Sequence, residues 1–161
     1  MPDASASRPA DPDQRRRWMG VLARARTAEL EAAWEALSAP PAYAFLRKPE
    51  TGLVLVRGRA GGTGAAFNLG EMTMTRCAVR LDDKAGGARA TGLAFVAGRD
   101  DRHAELAALF DALLQIPRQT EALDSAVIQP IEARLERERR AAAGEVAATR
   151  VDFFTLVREQ S

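Results

Sequence analysis

Residues 52–81, GLVLVRGRAGGTGAAFNLGEMTMTRCAVRL, predict two extended segments on either side of a glycine-rich turn. In the turn, Gly61, Gly62 and Gly64 surround Thr63. Glycine adopts positive φ without a steric penalty, and it is therefore the default residue of tight hairpin turns. The stretch predicts an antiparallel hairpin, and the rest of the fold is expected to form around it.

Four arginines flank this turn. Arg57 and Arg59 share one face of the incoming segment, and Arg76 and Arg80 share one face of the returning segment. Guanidinium groups match the oxygens of phosphate and phosphonate, and the N–H groups of a glycine turn can form an anion-binding nest. The turn lacks the Lys-Ser/Thr pair of a P-loop and does not match a dinucleotide fingerprint followed by a helix. Three interpretations stay open: an anion site, a plain hairpin turn, and a surface for another protein.

Alternation of apolar residues predicts strands at residues 43–47, 53–60, 67–69, 72–81 and 91–97. Residues 49–52 have the composition of a turn, and Gly70 is expected to end a short strand. The segment that starts at Leu53 is apolar on both faces, which favours a central strand. The apolar phase of the longest segment slips, which predicts a bulge near residues 75–76.

Two amphipathic helices are predicted before these strands. Asp11 or Asp13 is expected to cap the first helix, and Thr27 is expected to cap the second. The run of residues 15–17 is all arginine and lies at the helix end that disfavours cations, so an outside contact or simple solvation is expected for it. A DNA-reading helix pair is disfavoured because the second helix has an acidic face.

Helices are also predicted after the strands. Asp100 or Asp101 is expected to cap the first of them, and another begins near Thr120. Pro130 either kinks this last helix or begins a new one, and Gly144 is expected to end it. The prediction is therefore an α+β fold, an antiparallel sheet of about four or five strands flanked by N-terminal and C-terminal helices.

A chain of 161 residues is expected to form one domain. Residues 1–10 have little to bury and are expected to be disordered, so residues 11–158 form the predicted domain. Within it, residues 149–158 are predicted to be an apolar docking tail, because four large apolar side chains lie close to the chain end. They are Phe153, Phe154, Leu156 and Val157.

Charge and composition restrict the classes of function. With 23 basic and 22 acidic residues, the net charge of +1 favours neither nucleic acid nor a membrane as partner. The single Cys77 excludes an internal disulfide and fits a reducing compartment.

No apolar run is long enough to span a bilayer and the N-terminus lacks a signal pattern, so a cytoplasmic protein is expected. One His and one Cys are too few for a zinc site, so no metal is predicted.

A second polar cluster, Gly98-Arg99-Asp100-Asp101-Arg102-His103, opens the predicted third helix. The N–H groups of a helix N-terminus favour anions, which makes Arg99 and Asp100 candidates for an anion or partner contact. His103 is a candidate for proton transfer, with a capping and packing histidine as the alternative. No Ser-His-Asp or paired-carboxylate set can be assembled, so the residues alone do not predict an independent enzyme.

Several separated motifs, in this order, resemble one family. They are the GGTG turn, TMTRCAVRL, GRDDRHAELAALFDALLQ and the terminal TRVDFF of residues 149–154. Together they resemble the phosphonate metabolism protein PhnG family, the G subunit of the carbon–phosphorus lyase core complex. The resemblance runs from about Trp18 to Arg158. Cys77 departs from it, since a small alanine-like residue is expected at that position of the strand.

The resemblance implies a function that the composition does not. Such a subunit acts with the H, I and L proteins to replace adenine in ATP by methylphosphonate, forming alpha-D-ribose 1-methylphosphonate 5-triphosphate. It also sits with the H, I, J and K proteins in a core assembly, most directly on the large I subunit. The resemblance assigns no catalytic residue and no bound cofactor to this chain, and ATP is a substrate of the complex. The alternative is a purely structural scaffold subunit without substrate contact.

Overall fold

The computed structural model describes residues 11–82 and 90–148 of the chain. The strands are β1 (Ala42–Arg59), β2 (Ala66–Asp82) and β3 (Thr91–Ala97). They form an antiparallel three-stranded sheet in the order β1-β2-β3. The helices are α1 (Pro12–Leu22), α2 (Thr27–Glu35), α3 (Asp101–Leu114), α4 (Pro117–Leu123) and α5 (Gln129–Ala148). The predicted α+β class is confirmed.

The described sheet has three strands rather than four or five, because predicted strands merge into two long ones. The predicted turn at residues 49–52 is part of β1, and register shifts on either side of Arg47 give β1 extra residues there. Pro49 is tolerated because β1 is an edge strand with irregular pairing. Gly70, with φ of 151°, is an irregular point within β2 rather than the end of a short strand.

Two further expectations about the strands are wrong. Residues 53–60 belong to an edge strand, because β2 is the central strand of the sheet. The slip of apolar phase in β2 is no bulge, because its pairing with β3 is continuous from Met74 to Arg80. Instead, Cys77 and Val79 point into the core, whereas Met72 and Met74 lie on the opposite face of the sheet.

The core lies between one face of the sheet and the helices. Its largest fully buried side chains come from β2, β3, the first three helices and the segment after α4, and they include Trp18, Leu22, Leu30, Val79, Leu81, Val96, Leu106, Leu109, Phe110 and Ile128. The axis of α3 passes very close to β3 at Gly92, where an added Cβ would lie 1.8 Å from the carbonyl oxygen of Ala108. A glycine is needed there because any side chain would push α3 away from the sheet.

The arginines of residues 15–17 mostly serve the fold, contrary to the expectation of an outside contact. Arg15 donates to Asp111 on α3, and Arg17 pairs with Asp124 and Glu132 at distances of 2.7 and 2.6 Å. These pairs tie α1 to α3 and to the last helical segment. Helix packing, not an external ligand, therefore explains two of the three cations.

The helix ends follow the predictions in part. Asp11 caps α1 and Asp100 caps α3, as expected. The N-cap of α2 is Arg26, one residue before the predicted Thr27. Pro130 is the second residue of α5, directly after a π-helical turn at Asp124–Ile128 that joins α4 to α5. The predicted helix end at Gly144 is wrong, because α5 continues to Ala148.

Candidate anion and partner surface

The glycine turn lies at the tip of a two-stranded extension of the sheet. β3 pairs with β2 only from Met74 to Arg80, whereas β1 and β2 remain paired as far as Arg59 and Ala66. Residues 53–73 therefore project beyond the third strand. We call this extension the arm.

The tip of the arm is a hairpin turn. A single 3-10 turn covers Ala60–Gly62, with φ of 61° at Gly61 and 80° at Gly62. The N–H of Gly64 donates to the carbonyl of Ala60 at 3.0 Å, and Nη1 of Arg59 donates to the carbonyl of Gly64 at 3.1 Å. Both positive φ values favour glycine, so these two glycines have a structural reason. Arg59 braces the turn.

The four flanking arginines do not converge on one site. Arg57 and Arg59 lie on the arm, and strand alternation places them on the face opposite to that of Arg76 and Arg80. Arg76 forms an ion pair with Glu50, the residue across the strand from it. The sheet therefore separates one pair, near the arm tip, from the other pair on the outer face of the three-stranded part.

Glu50 is a shared acceptor on the outer face. It accepts from Arg47 at 2.7 Å as well as from Arg76. Hydrogen bonds from both guanidinium groups lower the pKa of the Glu50 carboxyl. Arg76 is therefore already charge-paired within this chain. In contrast, Arg57 forms no ion pair with any residue in the described ranges and is exposed.

The second predicted cluster, residues 98–103, lies where α1, α2 and α3 meet. Nε2 of His103 lies 2.8 Å from the carbonyl of Leu22, the last residue of α1, and therefore donates to it. Asp100 accepts from the N–H of His103 at 2.8 Å and from the hydroxyl of Thr27 at 2.6 Å. These two hydrogen bonds, led by that of Thr27, lower the pKa of Asp100.

These contacts give both His103 and Asp100 a role in packing the helices together. His103 is only 7% exposed and its Nε2 is already occupied, while Asp100 holds α3 and α2 together. Arg99, the neighbouring candidate, is exposed. A role for His103 in proton transfer, and of Arg99 and Asp100 in an external contact, stays a prediction.

Two other side chains with possible chemistry are Cys77, which is buried in the core, and Tyr43, which is partly buried against it. Burial raises the pKa of the Cys77 thiol to about 11, so the thiol is protonated at neutral pH. Burial, together with the hydrogen bond that its hydroxyl donates to Glu105, raises the pKa of Tyr43 to about 12. Neither group is a reactive nucleophile at neutral pH.

A buried carboxylate that the sequence analysis missed organises the edge of the sheet. Asp111 is fully buried and accepts from Arg15 at 2.7 Å, from Nε1 of Trp18 at 2.8 Å and from the N–H of Leu93 at 2.9 Å. An Asp within the apolar ALFDALL stretch of α3 is the signal that could have shown it, because a buried charge needs partners. These contacts within the chain give Asp111 a structural role.

Several expectations concern residues outside the described ranges, namely residues 1–10 and the tail residues Phe153, Phe154, Leu156 and Val157. Within residues 11–82 and 90–148, no group of three or more His, Cys, Asp or Glu residues could hold a metal ion. Over the same ranges, no helix has the length and apolar character needed to cross a membrane.

A family model described as phosphonate metabolism protein PhnG matches residues 13–159 of this chain. The chain belongs to the PhnG family. The resemblance predicted from the sequence motifs is therefore confirmed. A PhnG relative from Rhizobium meliloti (strain 1021) is 46% identical over 158 residues, covering 98% of this chain and 97% of the relative. That relative is named alpha-D-ribose 1-methylphosphonate 5-triphosphate synthase subunit PhnG.

Proposed function

We propose that this chain is a subunit of a multisubunit synthase that makes alpha-D-ribose 1-methylphosphonate 5-triphosphate during phosphonate breakdown. The observation that carries the proposal is the match to the Rhizobium meliloti synthase subunit, 46% identical over nearly the full length of both chains. In the proposed reaction, the bond between the anomeric carbon of ATP and adenine breaks. A phosphonate oxygen of methylphosphonate bonds to that carbon, and adenine leaves with a proton.

In this proposal the chain supports the reaction without supplying its catalytic groups. The geometry favours this role because the candidate groups are already engaged in packing: His103 binds the carbonyl of Leu22, and Cys77 is a buried thiol with a raised pKa. The proposed partners are the H, I, J and K subunits, most directly the large I subunit, with a functional link to the L protein. ATP is a substrate of the whole complex, and no cofactor is assigned to this chain.

Reconstitution tests the proposal. The candidate partner subunits are mixed with ATP and methylphosphonate, and the release of adenine is measured with and without this chain. Adenine release that depends on the chain, together with co-purification of the chain with the I-type partner, is expected. Full activity in its absence would contradict the proposal.

A second candidate role is direct contact with an anionic substrate group through the arginines near the turn. It is favoured by Arg57, which is exposed and has no ion-pair partner among the described residues. Arg57→Ala in an assembled complex should then raise the ATP or methylphosphonate concentration needed for half-maximal adenine release. Arg76→Ala and Arg80→Ala test the other pair in the same way. Unchanged kinetics in all three variants would leave the turn with a structural role only.

The purely scaffolding alternative is separated from these by His103→Ala. A scaffold predicts that adenine release changes only in proportion to the amount of assembled complex. A large loss of activity in a complex that assembles with normal subunit ratios would instead show that His103 contributes to the reaction.

A further inference from the structure

The arm concentrates the exposed apolar surface of the described residues. Among the described residues, eight large apolar side chains are exposed, and four of these eight lie on the arm. They are Leu53, Leu55, Phe67 and Leu69, with exposed fractions of 64%, 55%, 48% and 62%. Single exposed apolar side chains are ordinary, but a group of four on one extension marks an interaction surface.

These side chains occupy both faces of the arm. Leu53 and Leu55 share one face by strand alternation. Phe67 lies opposite Gly58, and an added Cβ at Gly58 would lie 2.7 Å from Leu69, which places Phe67 and Leu69 together on the other face. A flat partner surface would cover only one of these faces. Covering both requires a cleft.

The charges of the arm lie in a definite order. Its described residues carry two cations, Arg57 and Arg59, and one anion, Glu71. Both cations lie near the tip, after the apolar pair on β1, whereas Glu71 lies across from Leu55. The complementary site is therefore apolar along its walls and carries carboxylates towards its closed end.

A second copy of this chain is a poor match for such a site. Three clefts on its described surface have volumes of about 210 to 240 Å³, and each is too small to enclose a two-stranded arm. An isolated two-stranded hairpin is also only marginally stable in water, so the arm gains order from whatever encloses it.

We propose that the arm inserts into an apolar cleft of a different subunit of the synthase, with the tip arginines meeting carboxylates of that subunit. The inference rests on the proposed function, which supplies the partner subunits. It assigns the docking role to residues 53–73 of the sheet, in addition to any contribution from the predicted tail.

Two double variants test whether both faces are enclosed. Leu53→Ser with Leu55→Ser alters one face, and Phe67→Ser with Leu69→Ser alters the other. The matched control is Leu46→Ser with Phe95→Ser, which removes two side chains of similar exposure, 53% and 50%, outside the arm. Each chain is tagged and co-expressed with the H, I, J and K subunits. The amount of partner recovered per tagged chain is then measured.

Insertion predicts that either arm variant lowers partner recovery by about tenfold or more, as for loss of central interface anchors. The control variant should recover partners like the wild-type chain. Thermal unfolding of the separate chains should show similar midpoints, which excludes misfolding as the cause. Loss with only one arm variant would overturn insertion in a cleft, and equal recovery with all three variants would overturn docking through the arm.

Arg57→Glu tests the charged end of the cleft, with Arg137→Glu as its control because Arg137 is exposed on α5, outside the arm. Partner recovery by the Arg57 variant should fall and should depend less on salt concentration than recovery by the wild-type chain. The control should match the wild-type chain in both the recovery and its salt dependence. Recovery equal to that of the control would overturn the assignment of carboxylates to the cleft.

The result separates this inference from the proposed function. If the wild-type chain is required for adenine release and the arm variants recover the partner subunits and support that release as well as the wild-type chain does, the arm inference fails and the proposed function stands. If the wild-type chain binds the partners through the arm but adenine release does not need it, the proposed function fails and arm docking stands. If the wild-type chain recovers no synthase subunit, both fail.

Discussion

The two halves of the central strand β2 both carry large apolar side chains, but these lie in opposite environments. Near its end, Cys77, Val79 and Leu81 are at most 2% exposed, because α1 to α3 cover that face. Near its start, Phe67 and Leu69 are among the most exposed apolar side chains. An apolar side chain in a strand is therefore buried only where another element packs on it. In this chain the helices cover one face of the sheet where β3 is present, and they leave both faces of the arm bare.

The course of β3 explains why the helices cover the sheet only up to the base of the arm. β3 pairs with β2 up to Met74, and the N–H of Gly98 then donates to the carbonyl of Thr73 at 2.9 Å. Gly98 has φ of 91°, which turns the chain out of the sheet toward the cap of α3 at Asp100. β3 consequently ends, and α3 begins, at the base of the arm.

The comparison predicts that the covered half determines stability and the arm determines association. Substitutions of the same kind should therefore have large effects on unfolding in the covered half and small effects in the arm. Three pairs of variants test this difference and a fourth pair tests the junction of the two regions. Chemical denaturation of the purified chain measures each of them.

The largest effect is expected for Gly92→Ala. The new Cβ would lie 1.8 Å from the carbonyl oxygen of Ala108 and 2.7 Å from the N of Ala112, and backbone atoms cannot move aside without shifting α3. We expect a loss of about 4 kcal/mol in the free energy of unfolding, or failure to fold. Gly52→Ala at the root of the arm meets no atom within 4 Å and should be nearly neutral. A mild effect at Gly92 would contradict the close packing of α3 on β3.

The second pair compares two carboxylates. Asp111→Ala leaves the buried N–H groups of Trp18 and Leu93 without an acceptor, which should lower the free energy of unfolding by about 3 kcal/mol. Glu71→Ala removes an exposed carboxylate from the arm and should change it by less than about 0.5 kcal/mol. Similar values for the two variants would show that Asp111 does not organise the edge of β3.

The third pair compares two leucines. Leu109→Ala removes a fully buried side chain from α3 and should cost about 2.5 kcal/mol through lost burial and a cavity. Leu55→Ala removes a side chain that is 55% exposed and should cost less than about 1 kcal/mol. A large cost for Leu55 in the isolated chain would mean that the arm contributes to the stability of the domain.

The smallest effect is expected at the junction of the two regions. Asp100→Ala removes the cap of α3 and should cost about 1 kcal/mol at pH 7. Hydrogen bonds from Thr27 and His103 lower the pKa of Asp100 in the folded state below the ordinary value of 3.8. The stabilisation is therefore full above the unfolded pKa and is lost as pH falls through the lower folded pKa.

The cost of Asp100→Ala should consequently shrink in acid, which denaturation at pH 7 and below pH 4 measures. Arg99→Ala, at the exposed neighbouring position, is the control and should show no such pH dependence. A cost that stays constant with pH would mean that the carboxylate charge does not contribute to the cap.

Local patterns made the helices and the hairpin turn predictable. The caps Asp11 and Asp100 and the glycines of the turn were identified from the sequence because short-range hydrogen bonds and φ preferences decide them. The strand boundaries at Pro49 and Gly70 were wrong, because pairing with a neighbouring strand overrides the local preference to turn. Edge or central position depends on pairing between distant segments, which local alternation does not report.

The candidate site was predictable only as a set of residue types. The sequence placed four arginines near a glycine turn, but it could not show that the strand register separates Arg57 and Arg59 from Arg76 and Arg80. The network of Asp111 was also hidden, because its donors Arg15, Trp18 and Leu93 come from two distant elements.

The sequence by itself determined the family, the α+β class and the glycine hairpin, because motif order and backbone preference are local properties of the chain. The tertiary structure decided which apolar residues are buried, which arginines are already paired, and that the hairpin extends as an arm beyond β3. Those properties depend on contacts between segments far apart in the chain. The packing of α3 on the sheet extends only as far as Gly98, where β3 leaves the sheet. Side chains beneath α3 are therefore part of the core, whereas those of the arm remain exposed.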